Sequence, residues 1–115
     1  ISVWEFGDGD VRETTFDPVA ELGLDPVVIE DLRGGEPAQN AQAVRDLLAG
    51  KPVPFRSTAL LNAASAIVAD GRLVSNGALA DRFREAYTIA QQVVDSGKAA
   101  ALLDEWIAVA QSHRG

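Results

Sequence analysis

Cysteine and methionine are both absent from the 115 residues, and histidine occurs once, at His113. Without cysteine there is no disulfide framework and no thiolate chemistry, which is compatible with the cytosol. No methionine stands at position 1 either. A chain that opens Ile1-Ser2-Val3-Trp4-Glu5-Phe6 is therefore expected to be a piece of a longer polypeptide, with chemistry in the part that is missing. Long hydrophobic runs are lacking too. The only extended one, Ala59 to Ala69, is interrupted by Asn62 and Ser65. It falls well short of the roughly 20 residues a membrane helix needs. No leader pattern opens the chain. Positive charge is scarce: 17 acids face 10 bases, for a formal charge of −7. A net negative surface repels phosphate backbones, and the bases are scattered without aromatic interleaving, so no nucleic-acid partner is expected. These absences lead us to expect a cytoplasmic protein with no membrane partner.

What is present suits one globular unit. Hydrophobic residues make up 47% of the chain and the mean hydropathy is +0.03, enough apolar matter for a core. The opening segment has strand character, with Val3, Trp4, Phe6, Val11, Thr14, Thr15 and Phe16 flanking Gly7-Asp8-Gly9-Asp10. Turn residues between β-branched and aromatic runs predict a hairpin, with strands over about 2–6 and 11–16.

Three acid–proline steps follow. Asp17-Pro18 predicts a short helix ending near Gly23. Asp25-Pro26 predicts a second, Val27 to Leu32, stopped by Gly34-Gly35. Glu36-Pro37 predicts a third, ending at Gly50, with Ala41, Val44, Leu47 and Leu48 on one face. Proline suits the first helical position because its missing N–H would have had no partner. After the stiff Lys51-Pro52-Val53-Pro54 connector, a helix over about Ser57 to Asp70 is apolar nearly all round. It is expected to be the most buried element, with Gly71 as its left-handed cap. A long helix from about Ala78 to Asp95 carries the stripe Leu79, Phe83, Ala86, Tyr87, Ala90, Val94. The last, about Lys98 to Ser112, puts Leu102, Leu103, Trp106, Ile107 and Ala110 on one side. The fold class is α+β, a β-hairpin (1–16) followed by a helical cluster (17–115).

Catalytic constellations are missing. His113 lies near the chain end with no ordered carboxylate at ligand spacing, and a solvated tail residue is expected. Asp8 and Asp10 flank Gly9, but the further oxygen ligands of a calcium loop are lacking; turn chemistry accounts for both. Gly34-Gly35 before a helix hints at a phosphate cradle. Glu36-Pro37 removes a donor and adds negative charge there, so a helix cap and turn is the expected role. Asn62 and Ser65 lie on the apolar helix; a buried Asn62 is expected to bond neighbouring backbone, and Asn40 to do likewise. Ser57, Ser65, Ser96 and Ser112 have no base partner, which leaves a hydrolase triad unsupported.

The order of features is recognisable. Val3-Trp4-Glu5 in a hairpin precedes Asp17-Pro18 and Gly23-Leu24. Leu32-Arg33-Gly34-Gly35 comes before Asn40-Ala41. Leu61-Asn62-Ala63-Ala64 sits in the apolar helix. Ala90 and Asp95-Ser96-Gly97-Lys98-Ala99 precede the final helix. Over nearly all its length the chain resembles the C-terminal third of the anthranilate phosphoribosyltransferases. The resemblance implies a larger α/β domain of the nucleoside phosphorylase/phosphoribosyltransferase kind, usually in a homodimer. It implies transfer of phosphoribosyl from PRPP to anthranilate, with Mg²⁺, in tryptophan biosynthesis. The hairpin would complete the edge of a larger sheet, and the helices would pack on one of its faces. The family's Gly-Thr-Gly-Gly-Asp loop, Lys-His-Gly-Asn segment and anthranilate-side Arg lie upstream in such enzymes and are not among these residues. Ile1-Ser2 resembles the step that follows the family's Mg²⁺-binding Asp-Glu pair. The resemblance therefore assigns no catalytic, substrate-binding or metal-ligating residue here, and it leaves Asn40 and Asn62 as structural polar positions. The partner is the remainder of the parent enzyme, and the segment alone is expected to be inactive. The alternatives are a segment of a pyrimidine nucleoside phosphorylase-like enzyme and a stand-alone helical interaction module.

Overall fold

The first sixteen residues fold back on themselves as an antiparallel hairpin in the computed structural model, which describes residues 1–114. Strands β1 (Ser2–Gly7) and β2 (Asp10–Thr15) pair in the register Ser2↔Thr15 through Gly7↔Asp10. Only Asp8 and Gly9 remain for the turn, and both take positive φ, 51° and 75°. That is the geometry of a two-residue loop whose twist matches the strands it joins. Alternation sets the faces. Val3 and Glu5 turn toward the helices and are half-buried. Trp4, Phe6 and Val11 point away, at 57%, 78% and 51% exposure. The hairpin thus carries apolar side chains on a side that nothing among the described residues covers.

Helix α1 (Pro18–Leu22) starts where Asp17 caps it, its carboxylate accepting from Val19 N at 3.0 Å and Ala20 N at 3.4 Å. Gly23 ends it in the left-handed conformation. Asp25-Pro26 does not repeat the device. The segment instead stays extended and closes into a 3-10 turn over Ile29–Leu32. The Asp31 carboxylate accepts from Val28 N at 3.4 Å and serves as the local cap. Few residues separate Pro26 from Gly34-Gly35, too few to offset the cost of starting an α-helix, and 3-10 geometry suits so short a piece. Helix α2 (Pro37–Leu48) does open on proline. Helices α3 (Arg56–Asp70), α4 (Leu79–Asp95) and α5 (Lys98–Ser112) complete the chain. None of the described helices is long and apolar enough to cross a membrane.

The core gathers around α4. Its stripe of Leu79, Phe83, Ala86, Tyr87, Ala90 and Val94 is buried in full, against Leu60 and Ala64 of α3 and Phe16 at the end of the hairpin. Ala64 and Ala86 have no exposed surface at all, so the two helices can approach closely there. Phe16 stacks on Phe83 with ring centroids 4.8 Å apart and planes 24° from parallel.

Two further expectations fail. The most buried element is α4, not α3, which buries only Leu60 and Ala64. An all-apolar helix needs cover on every side, and here α4 covers one. Asn62, Ala63, Ser65, Ala66 and Ala69 are exposed. The α5 stripe also splits: Leu103 and Ile107 turn inward and are half-buried, while Leu102 and Trp106 stand 66% and 70% exposed.

Candidate functional site

A groove of about 740 Å³ runs between β1 and α3, lined by Ile1 to Phe6, Leu61, Asn62, Ser65, Val68, Ala69, Leu79, Arg82 and Phe83. Its charged end is one ion pair. Arg82, in the first turn of α4, donates from Nη1 to Glu5 Oε1 at 2.6 Å and from Nε to the Gly77 carbonyl at 2.9 Å. Both side chains are mostly covered, Arg82 at 17% and Glu5 at 26% exposure. Glu5 Oε2 is buried and has no protein partner.

The Arg82 hydrogen bond holds the Glu5 carboxyl below its ordinary value, against the opposing effect of burial; the charges of Arg82 and Arg12 act with the bond. A lowered folded-state pKa means stability that is full above the unfolded value and lost as pH falls through the folded one. Wild type should therefore lose stability on acidification below about pH 4.5, the ordinary value. Glu5→Gln should be less stable by about 1–2 kcal/mol at neutral pH and flatter across that window, the pair being partly solvated. Urea midpoints at neutral and acid pH measure both. An equal acid loss in the variant would remove Glu5 as the cause.

A second hollow, about 360 Å³, lies at the hairpin tip among Glu5, Asp8, Asp10, Arg12, Asn76 and Arg82. Asp10 Oδ1 accepts from Val11 N at 3.0 Å, a turn contact. The donor set does not fit Mg²⁺. Two guanidinium groups share the hollow with the carboxylates, and Glu5 is already paired. A hard cation wants several free oxygens, not neighbouring positive charge. Among the described residues no three His, Cys, Asp or Glu side chains gather as ligands.

The third hollow, about 370 Å³, is walled by Pro26, Pro52, Pro54 and Tyr87 and was not foreseen. Arg56 reaches it from the start of α3. Its Nη2 donates to Asp95 Oδ1 and Oδ2 at 3.0 and 3.1 Å, while Nη1 is buried without a partner. Burial pushes the Tyr87 hydroxyl pKa up, with Arg56 opposing it. Gly50 is required beside the pair: its φ is +80°, and a Cβ there would lie 3.2 Å from Asp95 Oδ1. Only the short-range part of this was readable in the sequence, since Arg56 and Asp95 are 39 residues apart.

The remaining candidates separate. Asn40 clasps the Gly-Gly turn, accepting from Gly35 N at 2.8 Å and donating to Gly35 O at 3.0 Å. A Cβ on Gly35 would collide with the Gln39 side chain, so the turn is shaped by the helix that follows it. Asn62 is exposed on the groove rather than buried against backbone. Among the described residues no element packs directly on the helix face that carries it; that face forms one wall of the groove. Ser65 and Ser112 each donate to a carbonyl one turn earlier in their own helix, Ser96 donates to the Val93 carbonyl from just past the end of α4, and Ser57 lines the proline-walled hollow. His113 is exposed just past α5.

Comparison with known proteins gives these features a frame. Residues 1–100 match the family described as "Glycosyl transferase family, a/b domain". The chain is 45% identical over 108 residues to an anthranilate phosphoribosyltransferase of Arthrobacter sp., covering 94% of this chain and 30% of that protein. It is 43% identical over 112 residues to the enzyme of that name from Thermobifida fusca, with coverage of 97% and 31%. The protein of the same name from Acidothermus cellulolyticus is 39% identical over 114 residues, with coverage of 99% and 32%. The chain thus spans about a third of the length of these relatives. With a family match over its first hundred residues, the chain belongs to the glycosyl transferase family, as part of its a/b domain.

Proposed function

We propose that the chain is the C-terminal segment of an enzyme that transfers phosphoribosyl from PRPP to anthranilate, in tryptophan biosynthesis. The observation that carries this reading is the 39–45% identity, across nearly the whole chain, to proteins that all bear that enzyme's name. The segment supports the active site from behind. Its polar groups are spent on holding elements together: Asn40 on the Gly-Gly turn, Arg82 on the hairpin, Arg56 on α4. Residues that bind PRPP, anthranilate and Mg²⁺ lie in the remainder of the polypeptide, and no step of the reaction is assigned to this chain. The parent is a cytoplasmic homodimer in this reading.

The test uses the chain alone and the Arthrobacter sp. relative carrying this chain in place of its own matching segment. With PRPP, MgCl₂ and anthranilate, followed by loss of anthranilate fluorescence, the isolated chain should show no turnover. The chimera should turn over. Activity from the isolated chain would overturn the placement of the chemistry elsewhere. A folded, inactive chimera would overturn the reaction itself.

A further inference from the structure

The loop between α3 and α4 is pinned to α4 on both sides of Asn76. Glu85 Oε2 accepts from Ser75 N at 2.9 Å and from Ser75 Oγ at 3.1 Å. Arg82 Nε donates to the Gly77 carbonyl at 2.9 Å, and the same guanidinium holds Glu5 of the hairpin. Asn76 and Gly77 are themselves exposed and lie outside any helix or strand. Among the described residues no hydrogen bond reaches the Asn76 amide or the Gly77 N–H. An asparagine followed by glycine is open to attack by its own chain. The glycine nitrogen lies within reach of the side-chain carbon, and no Cβ stands in the way. Other pairs in this chain lack a condition. Asn40 and Asn62 sit within α2 and α3, where main-chain N–H groups are committed to the helix, and alanine follows each. Asp70 precedes Gly71, but Gly71 N donates to Ile67 O at 3.0 Å. Asp8-Gly9 has no side-chain amide to lose. The fold does not demand glycine at 77. Its φ is not left-handed, and a Cβ there would meet Ser75 Oγ at 3.4 Å and Asp81 Cβ at 3.7 Å, ordinary contacts.

We infer that Asn76-Gly77 is a self-modification site, which deamidates and thereby loosens the hold of Arg82 on the hairpin. Gly77 N attacks Asn76 Cγ. A C–N bond forms, and ammonia leaves with the Gly77 amide proton. The cyclic imide then takes up water at one of its two carbonyls. Water at Cγ gives aspartate. Water at the main-chain carbonyl gives isoaspartate, whose main chain runs through Cβ and Cγ and is longer by one carbon. Both products carry a new negative charge. The longer product no longer fits between its pins, because Ser75 and Gly77 are tied to the same helix. Glu85 makes two bonds to Ser75, while Arg82 makes one to Gly77, so the Gly77 pin gives way. Arg82 thereby loses the contact that aims it at Glu5. None of this depends on which reaction the longer enzyme performs.

Ageing in mildly alkaline buffer tests it, on the chain alone and on the chimera with the Arthrobacter sp. relative. Trypsin cuts after Arg72 and Arg82, which leaves Asn76 as the one asparagine of its peptide. That peptide should gain the mass of an NH2-to-OH exchange and resolve into aspartyl and isoaspartyl forms. The peptides holding Asn40 and Asn62 should keep their amides over the same period. Gly77→Ala should slow the conversion by about tenfold or more, since a Cβ obstructs the attacking nitrogen. Equal conversion at Asn40 or Asn62, no slowing in Gly77→Ala, or conversion of the isolated chain but not of the chimera would each overturn the site. Urea midpoints of the forms of the chain, separated by charge and by peptide map, read the consequence. The isoaspartyl form should unfold at lower urea than the unmodified chain. Asn76→Asp adds the charge without the extra carbon and should unfold near wild type. A wild-type midpoint for the isoaspartyl form, or an equal loss in Asn76→Asp, would overturn the release of Arg82.

Discussion

Phe83→Ala should destabilise the chain more than any other single truncation, by about 3–5 kcal/mol. Phe83 is 4% exposed and stacks on Phe16, which is 2% exposed. The ring therefore does two things at once. It fills the centre of the α4 face, and it joins the helical cluster to the residue that ends the hairpin. Truncation leaves a cavity between Phe16 and α4 and removes an aromatic pair worth about 0.5–1.5 kcal/mol beyond its buried area. The hairpin is otherwise tied to α4 by Glu5–Arg82, which is too solvated to compensate. Urea denaturation of wild type and variant measures the difference. A loss under about 1 kcal/mol would place the Phe16–Phe83 stack outside the core.

The second large effect separates adjacent leucines. Leu60 is 2% exposed and faces α4, so Leu60→Ala should cost about 2–5 kcal/mol. Leu61 is only half-buried, at the rim of the groove. Leu61→Ala should cost about 1 kcal/mol, in proportion to the area it covers. The same denaturation series reads both. Equal losses would mean that the groove face of α3 is covered in solution, and the asymmetry of the helix would have to be abandoned.

What the sequence determined by itself is local. Asp8-Gly9 can only be a tight turn, because both residues tolerate positive φ and the flanking segments alternate with period two. Asp17-Pro18 begins a helix by capping it, and Gly71 ends one, within a single turn of chain. The α4 stripe was legible to the residue, because a helix with one apolar face has only one way to bury it. Tertiary structure decided everything that needed a second element. Helix α3 has no polar face, so its own pattern could not say which side α4 would take, and Leu60 won over Leu61 only in three dimensions. Glu5 met Arg82 across 77 residues, and no periodicity encodes such a pairing. The α5 stripe divided for the same reason: nothing among the described residues covers its outer half, so Trp106 stays in water while Leu103 and Ile107 turn inward. Asp25-Pro26 carried a helix-start signal whose outcome depended on the room left before Gly34-Gly35, a competition between nucleation and chain length that the dipeptide alone does not express.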